Sequence, residues 1–360
     1  MEKYSVQFTD KKKVVKYITS EKDIFEWICK YFKAYYQCSN EIQDHNKGFC
    51  VEYIVDKKLF FDLLEEIDNS NNKNFVQGYL DTEYIKCNNY FVSNDKSHMI
   101  CRMDEKVYIY TPECNFKVGL ISMRIIRDIF SKHHENIGEF VLHSGTVGVN
   151  GCGITFVGEK NAGKTTAVLT MLKYLKASFI SNDKTYIGFG ENDMPTVYGW
   201  PTTCSIAMGS FNSFPEMVNY ITANVLEYPQ YVQEDKNPKI EVTSNEIENI
   251  FNVPIVSSCI SKFLFFPHIS QEVGTTLIKA CPVEKAQNII LENILTPHDP
   301  HYPDFLGFRD RDEDEYREEA KFLASRLAKM IPCYEIHYGY DIVEMSDAVR
   351  EFLMSQGIRK

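Results

Sequence analysis

Between residues 21 and 36 the apolar side chains Ile24, Phe25, Ile28, Phe32 and Tyr35 recur at helical spacing, which predicts a helix with one buried face. Residues 57–67 predict a second helix. The stretch DNSNNKN (68–74) is dense in turn formers and reads as an exposed loop. The short runs YFVSN, HMICRMD and KVYIYTP are separated by turn residues, end near Pro112 and predict strands. Residues 1–116 therefore read as an α+β module. Leu120, Met123, Ile126 and Phe130 give residues 119–133 the period of a helix, expected to link this module to a second domain over 117–360.

The texture changes from Glu139. Phe140-Val141-Leu142 leads into HSGTVGVNGCGITFVG, which predicts two strands around an Asn150-Gly151 turn. The second strand, 153–157, runs into a glycine-rich loop, followed by a helix over 165–176 and a strand over 178–182. This strand–loop–helix–strand unit predicts an α/β nucleotide-binding core. Beyond it, 198–211 is turn-rich and contains GWPTT, and 225–245 reads as a polar loop excursion. Tyr316, Ala320, Leu323, Leu327 and Met330 mark an amphipathic helix over 312–330, with a late strand at 333–343 and a terminal helix at 346–354.

Composition narrows the classes. The chain has 360 residues, 44% apolar and 13% aromatic, enough for two or three ordered domains with their own cores. A formal net charge of −11 argues against a general nucleic-acid binder, which needs clustered Lys and Arg. The opening MEKYSVQFTDKKK lacks the apolar core of a secretory signal, and runs such as Phe263-Leu264-Phe265-Phe266 are far too short to cross a bilayer. Eleven cysteines are scattered without CxxC pairs, which fits reduced thiols in a cytoplasmic protein. Neither nucleic acid nor a membrane is expected as a partner.

The chemistry concentrates in Gly158-Glu159-Lys160-Asn161-Ala162-Gly163-Lys164-Thr165, followed by Thr166. Gly158 and Gly163 allow the backbone to turn its N–H groups toward an anion, and the helix starting near Lys164 adds unpaired amides and a positive dipole end. Lys164 is placed to neutralise terminal phosphates, and the Thr165 hydroxyl to ligate magnesium. Asp183 follows only nineteen residues after Lys164, at the end of the next strand. Ligands of open α/β sheets lie at the carboxyl ends of strands, so Asp183 is expected beside the terminal phosphate. There it can hold magnesium or accept a proton from an attacking hydroxyl. On chemistry alone His143 reads as a structural histidine and Ser144 as a turn residue.

Taken together, Leu142-His143-Ser144-Gly145 before the loop strand, the loop itself, and Ser181-Asn182-Asp183 at the end of the very next strand resemble the HPr kinase/phosphorylase family and its relatives in the phosphoenolpyruvate-carboxykinase-like P-loop fold. The likeness covers about residues 119–215 and is weaker over 255–350, through FFPHI and IPCYEIHYG. GWPTTCSIAMGSF is also similar to a segment of HPr-kinase-related proteins, some of which phosphorylate ribosomally made peptides and others small molecules. The resemblance implies a magnesium- and ATP-dependent kinase, with GTP as the alternative nucleotide. It implies that residues 158–166 cradle the phosphates, that Thr165 and Asp183 hold magnesium, that Asp183 is the general base, and that His143 helps to position phosphate. The implied acceptor is a Ser or Thr hydroxyl of a peptide or protein; the alternatives are a small-molecule hydroxyl such as that of an amino acid or sugar, and a nucleotide-dependent switch without transfer. The N-terminal module would bind the acceptor or serve a homo-oligomer. Two features depart from the family. Tyr198-Gly199-Trp200-Pro201 lacks the family's second acidic metal ligand, and only Lys262 stands in the region of its later catalytic arginine.

Other groupings read as ordinary structure first. His298-Asp299-Pro300-His301 with Asp304 suggests a capped turn, with a metal cluster as the second reading. The mixed-sign run Arg309–Glu315 suits a solvated helix start, with Arg309 and Arg311 as second-choice contacts to an acceptor or phosphates. Trp27 and Trp200 are expected in the core, although Trp200 could also line an acceptor pocket.

Overall fold

The computed structural model describes residues 3–11, 13–39, 48–69, 74–78, 82–228, 230, 238–296 and 304–358. The chain divides into two compact units, one of residues 1–136 with 299–310 and the other of 137–298 with 311–360. Both are mixed α/β.

In the first unit, β1 (Tyr4–Asp10) and β2 (Lys13–Thr19) form an antiparallel pair, followed by α1 (Lys22–Phe32), β3 (Gln37–Ser39), β4 (Phe49–Val55) and α2 (Lys57–Asp68). A meander of β5 (Asn74–Gln77), β6 (Glu83–Cys87), β7 (Tyr90–Ser93), β8 (Met99–Met103) and β9 (Lys106–Thr111) then leads into α3 (Phe116–Asn136). Among the described residues these strands make one sheet in the order β3-β1-β2-β4-β9-β8-β7-β6-β5, parallel at β2–β4–β9. Alternation explains its buried face: Val15 and Tyr17, Val51 and Tyr53, and Val107 and Ile109 all point inward.

The helix expected to link two domains belongs wholly to the first. The α3 helix packs on β2, β4, β9 and α1, so Leu120, Met123, Ile126 and Phe130 fill the core over this sheet. The unit therefore ends at residue 136, not 116, and it is discontinuous, because residues 299–310 return to it. Asp304 serves there as a backbone cap, its carboxylate accepting from the amides of Phe308 (2.6 Å) and Arg309 (3.0 Å). His298 and His301, the histidines of the candidate metal cluster, lie outside the described residues, as does most of DNSNNKN.

The second unit opens with the hairpin of β10 (Phe140–Val149) and β11 (Cys152–Val157), whose turn residues Asn150 and Gly151 both have positive φ (49° and 75°). Next come α4 (Lys164–Thr170), which runs on as one π turn over Met171–Leu175, then β12 (Ser178–Ser181), β13 (Lys184–Phe189), β14 (Pro195–Gly199) and β15 (Cys204–Ala207). After them come α5 (Pro215–Ala223), β16 (Lys239–Val242), α6 (Ser244–Phe251), β17 (Ser258–Ile269), β18 (Leu277–Ala280), α7 (Val283–Asn293), α8 (Glu313–Met330), β19 (Cys333–Tyr338) and α9 (Ile342–Ser355).

Strand pairing in this unit closes on itself. The β10 strand pairs with β11 along one half and β13 along the other, β13 pairs with β14, β14 with β17, and β17 runs parallel to β11. Both β11 and β12 are antiparallel to β10, so they point the same way without being neighbours. One face buries Phe156, Val168, Leu172, Phe265 and Met345 against α4, α6 and α9. The other buries Leu142, Val157, Leu264, Phe266, Ile290 and Leu323 against α7 and α8.

Two expectations change here. Residues 225–245 are not simply a loop, because Lys239–Val242 pair with β15 and Thr243 begins α6 with a reciprocal cap to Glu246. The late strand stops at Tyr338, where Asp341 caps α9 by accepting from Val343 and Glu344. Among the described residues no helix is long and apolar enough to cross a membrane.

Candidate active site

Residues 158–163 join β11 to α4, so the loop leaves one strand and delivers its last amides to a helix start. Gly163 is the N-cap, at φ 104°. A Cβ there would lie 2.3 Å from the Tyr338 hydroxyl, which donates to the Gly163 carbonyl at 2.7 Å. Only glycine satisfies both the conformation and the contact. Asn161 also has positive φ (70°), and the Ala162 amide donates to the Glu159 carbonyl at 3.2 Å, closing the loop on itself.

Lys164 lies folded back across this loop. Its ammonium donates to the carbonyls of Gly158 (2.7 Å) and Glu159 (2.9 Å), and the residue is 7% exposed. Burial lowers its pKa to about 8; the Asp183 carboxylate pulls upward, and Lys239 pushes further down. Thr165 follows on the first turn of α4, where Asn182 Nδ2 donates to its hydroxyl at 3.4 Å. The opposite end of that amide, Asn182 Oδ1, is buried with no hydrogen-bond partner among the described residues.

Asp183 sits in the turn between β12 and β13 with φ 72°, a left-handed conformation that Asp tolerates better than most residues. The β10–β13 register brings His143 against this turn, and the Ser144 amide donates to the Asp183 carbonyl at 3.1 Å. His143 Nε2 lies 3.6 Å from Asp183 Oδ1. Burial alone would raise the pKa of Asp183, but His143, Lys184 and Lys164 outweigh it and hold the carboxyl below its ordinary value. The side chain remains about half exposed, at 48%, so it faces the open cleft.

That cleft has a volume of about 210 Å³ and gathers His143, Lys160, Asn161, Gly163, Lys164, Thr165, Thr166 and Asp183. Gly158, Glu159 and Ala162 build the loop from behind, through the bonds already described. Five further residues complete the wall: Ser205, Ala207 and Ser210 from GWPTTCSIAMGSF, Ile269 from FFPHI, and Lys239 from β16. Ala207 and Lys239 are register partners in the β15–β16 ribbon. The signal available for Lys239 was one cation within a polar segment, and only the ribbon pairing gives it a direction. It joins Lys160 and Lys164 as the third lysine at the cleft; Lys262 is not among the lining residues and is exposed on β17.

Three other candidates lie elsewhere. Trp200 is buried (1% exposed) and tilted against Tyr186, with centroids 4.9 Å apart, so it is core and does not line the cleft. The Arg309 guanidinium bonds Glu135 Oε2 at 2.7 Å within the first unit. Arg311 pairs with Glu319 and lies over the Tyr316 ring, 4.5 Å from its centroid.

No protein-family model matches the sequence, and no curated protein matches it. Among solved structures the chain is similar to that of the Hpr(Ser) kinase/phosphatase from Coxiella burnetii, with 12% identity, 60% of this chain and 98% of that one covered, and a TM-score of 0.27. Similarity at that score carries no argument about fold or activity.

Proposed function

We propose that this chain is a magnesium- and nucleotide-dependent phosphotransferase that moves the terminal phosphoryl group of ATP to a hydroxyl, with Asp183 as general base. The observation that carries the reading is the meeting of Asp183, held ionised, with Lys164 and Thr165 in one cleft. A loop of turned amides with a buried lysine is an anion site, and a half-exposed carboxylate beside it has no use in simple phosphate storage.

In this scheme Lys164 leaves the Gly158 and Glu159 carbonyls for phosphate oxygens, exchanging neutral acceptors for charged ones. The loop amides and Lys239 spread over the remaining negative charge. Asp183 takes the proton from the acceptor hydroxyl as its oxygen attacks phosphorus and the nucleoside diphosphate departs with the bridging oxygen. His143 orients the carboxylate. Thr165 and Asp183 are an all-oxygen donor set that suits magnesium, and the Thr165 hydroxyl, which accepts from Asn182 with one lone pair, keeps its second for a cation. When bound, magnesium would neutralise the charge on the phosphate oxygens. For the acceptor we favour a Ser or Thr of a peptide or protein, because GWPTTCSIAMGSF is similar to a segment of HPr-kinase-related proteins, some of which phosphorylate ribosomally made peptides; others phosphorylate small molecules, which is the second reading.

Asp183→Asn is the decisive variant, because Asn also accepts positive φ and the turn should survive. With γ-labelled ATP, magnesium and candidate peptides or cell extract, the wild type is expected to label a hydroxyl. The variant should transfer about 10²–10⁴-fold more slowly while binding nucleotide normally. Label on a metabolite would change the acceptor class. Equal rates in both proteins would remove Asp183 as the base, and nucleotide binding without any transfer would leave a switch protein.

A further inference from the structure

The face of β17 and β19 turned away from the phosphate cleft holds a second grouping. These strands are parallel neighbours with His268 opposite His337, so the two imidazoles stand side by side, ring centroids 4.7 Å apart and planes 17° from parallel. Glu335 precedes His337 by two positions on β19 and therefore shares that face. Its Oε2 lies 3.9 Å from His268 Nε2 and 3.8 Å from His337 Nε2. One ligand atom from each of the three residues falls within 4.8 Å of the other two. The side chains are 52%, 16% and 36% exposed for His268, Glu335 and His337, so a solvated ion can reach them. Leu264 and Phe266, earlier on the same face of β17, fill the core under α7 and α8, and the histidine patch begins where that cover ends.

We propose that His268, Glu335 and His337 bind a divalent transition-metal ion of the zinc type, with open positions filled by water. Two imidazoles and one carboxylate favour Zn²⁺, Co²⁺ or Ni²⁺ over Mg²⁺ and Ca²⁺, which prefer oxygen throughout. Ligand atoms about 2.0–2.2 Å from a tetrahedral ion are roughly 3.3–3.5 Å apart, so the nitrogen–oxygen distances here need to close by only about half an ångström. Side-chain rotation supplies that, because the backbone spacing is already fixed by the β17–β19 ladder.

One group competes with the ion. Lys285 Nζ, from α7, donates to the same Glu335 Oε2 at 2.8 Å. It is half exposed, and a surface ion pair of this kind is readily given up to water. The site therefore has two states, with the carboxylate held by lysine or by metal. It differs from the cleft in location and ligand chemistry, although the next residues along each strand, Ile269 and Tyr338, serve the phosphate loop from the opposite face.

Titrating the full chain with Co²⁺ and following its visible ligand-field absorption tests this directly, with Zn²⁺ added afterwards as competitor. The wild type is expected to bind one equivalent with a spectrum of nitrogen and oxygen ligands. His268→Ala/His337→Ala should abolish that spectrum while keeping the melting temperature of the metal-free protein. Lys285→Ala should tighten Co²⁺ binding by roughly two- to fivefold, the worth of the surface ion pair removed. Three results overturn the proposal: no Co²⁺ binding by the wild type, binding undiminished in the double variant, or a spectrum dominated by sulfur charge transfer, which would place the ion on cysteines. Failure of Lys285→Ala to tighten binding would remove Glu335 from the ligand set.

Discussion

Two buried lysines, one in each unit, have opposite surroundings. Lys132, on α3 of the first unit, is fully buried with carboxylates on both sides, its ammonium 3.6 Å from Asp128 and 3.6 Å from Glu135. Glu135 is in turn bound by Arg309, so the group is a compensated ion cluster. Lys164, in the second unit, is almost as buried, yet its hydrogen bonds go to two backbone carbonyls. A cation enclosed with its counter-ions is part of the architecture. Under the proposed function, one hydrogen-bonded to neutral acceptors beside an open cleft, with Asp183 as the nearby carboxylate, is set up to receive a phosphate that is not part of the chain.

The sharpest way to break this contrast is to remove each charge in turn. Lys132→Met takes the ammonium away from Asp128 and Glu135 and leaves Arg309 as the remaining cation of the cluster, and loss of one member of a buried ion group costs about 3–5 kcal/mol. A large fall in the urea midpoint is expected, and nucleotide affinity measured below the transition should be unchanged. Lys164→Met should do the reverse. It removes a charge that burial disfavours, so the melting temperature should hold or rise. Nucleotide affinity should weaken by about 1.5–3 kcal/mol, the worth of a charged hydrogen bond, as read by calorimetry. If Lys164→Met instead unfolds the protein, the lysine is structural and the two regions are alike.

A smaller effect sharpens the same point through pH. The Lys164 pKa falls from 10.5 in the unfolded chain to about 8 in the folded one. Between those values the unfolded state binds more protons, so stability should rise with pH in the wild type relative to Lys164→Met. Bound phosphate favours the ammonium, so nucleotide affinity should fall over the same range, by at most about tenfold per pH unit. Opposite slopes for folding and binding, both absent in Lys164→Met, are the expected signature. Parallel slopes would contradict the assignment.

Much of the second unit was legible because its signals are local. The Asn150-Gly151 turn, the loop from Gly158 to Thr165, the strand before Asp183 and the helical period of α8 each depend on residues close together in the chain. What could not be read depends on pairing across long separations. The period of α3 identifies a helix but not the sheet it covers, which is why the boundary expected at 116 lies at 136. Lys239 gains its place only through a ribbon formed with β15. His268 and His337 meet because two strands far apart in sequence are parallel neighbours, and nothing in FFPHI or YEIHY announces that register. Arg309 looked available for a ligand because its partner, Glu135, lies far upstream.

That last pairing bears on how the chain is made. The first unit is encoded by residues 1–136 and then by 299–310, with most of the second unit between them. At ~5–20 residues per second, a ribosome needs on the order of ten to thirty seconds after Asn136 to reach Arg309. Throughout that interval Glu135 has no Arg309 to close its cluster, and the amino-terminal unit cannot finish folding. Vectorial synthesis thus imposes an order in which the downstream unit, begun second, can be complete in its strand–loop–helix core before the upstream one is sealed.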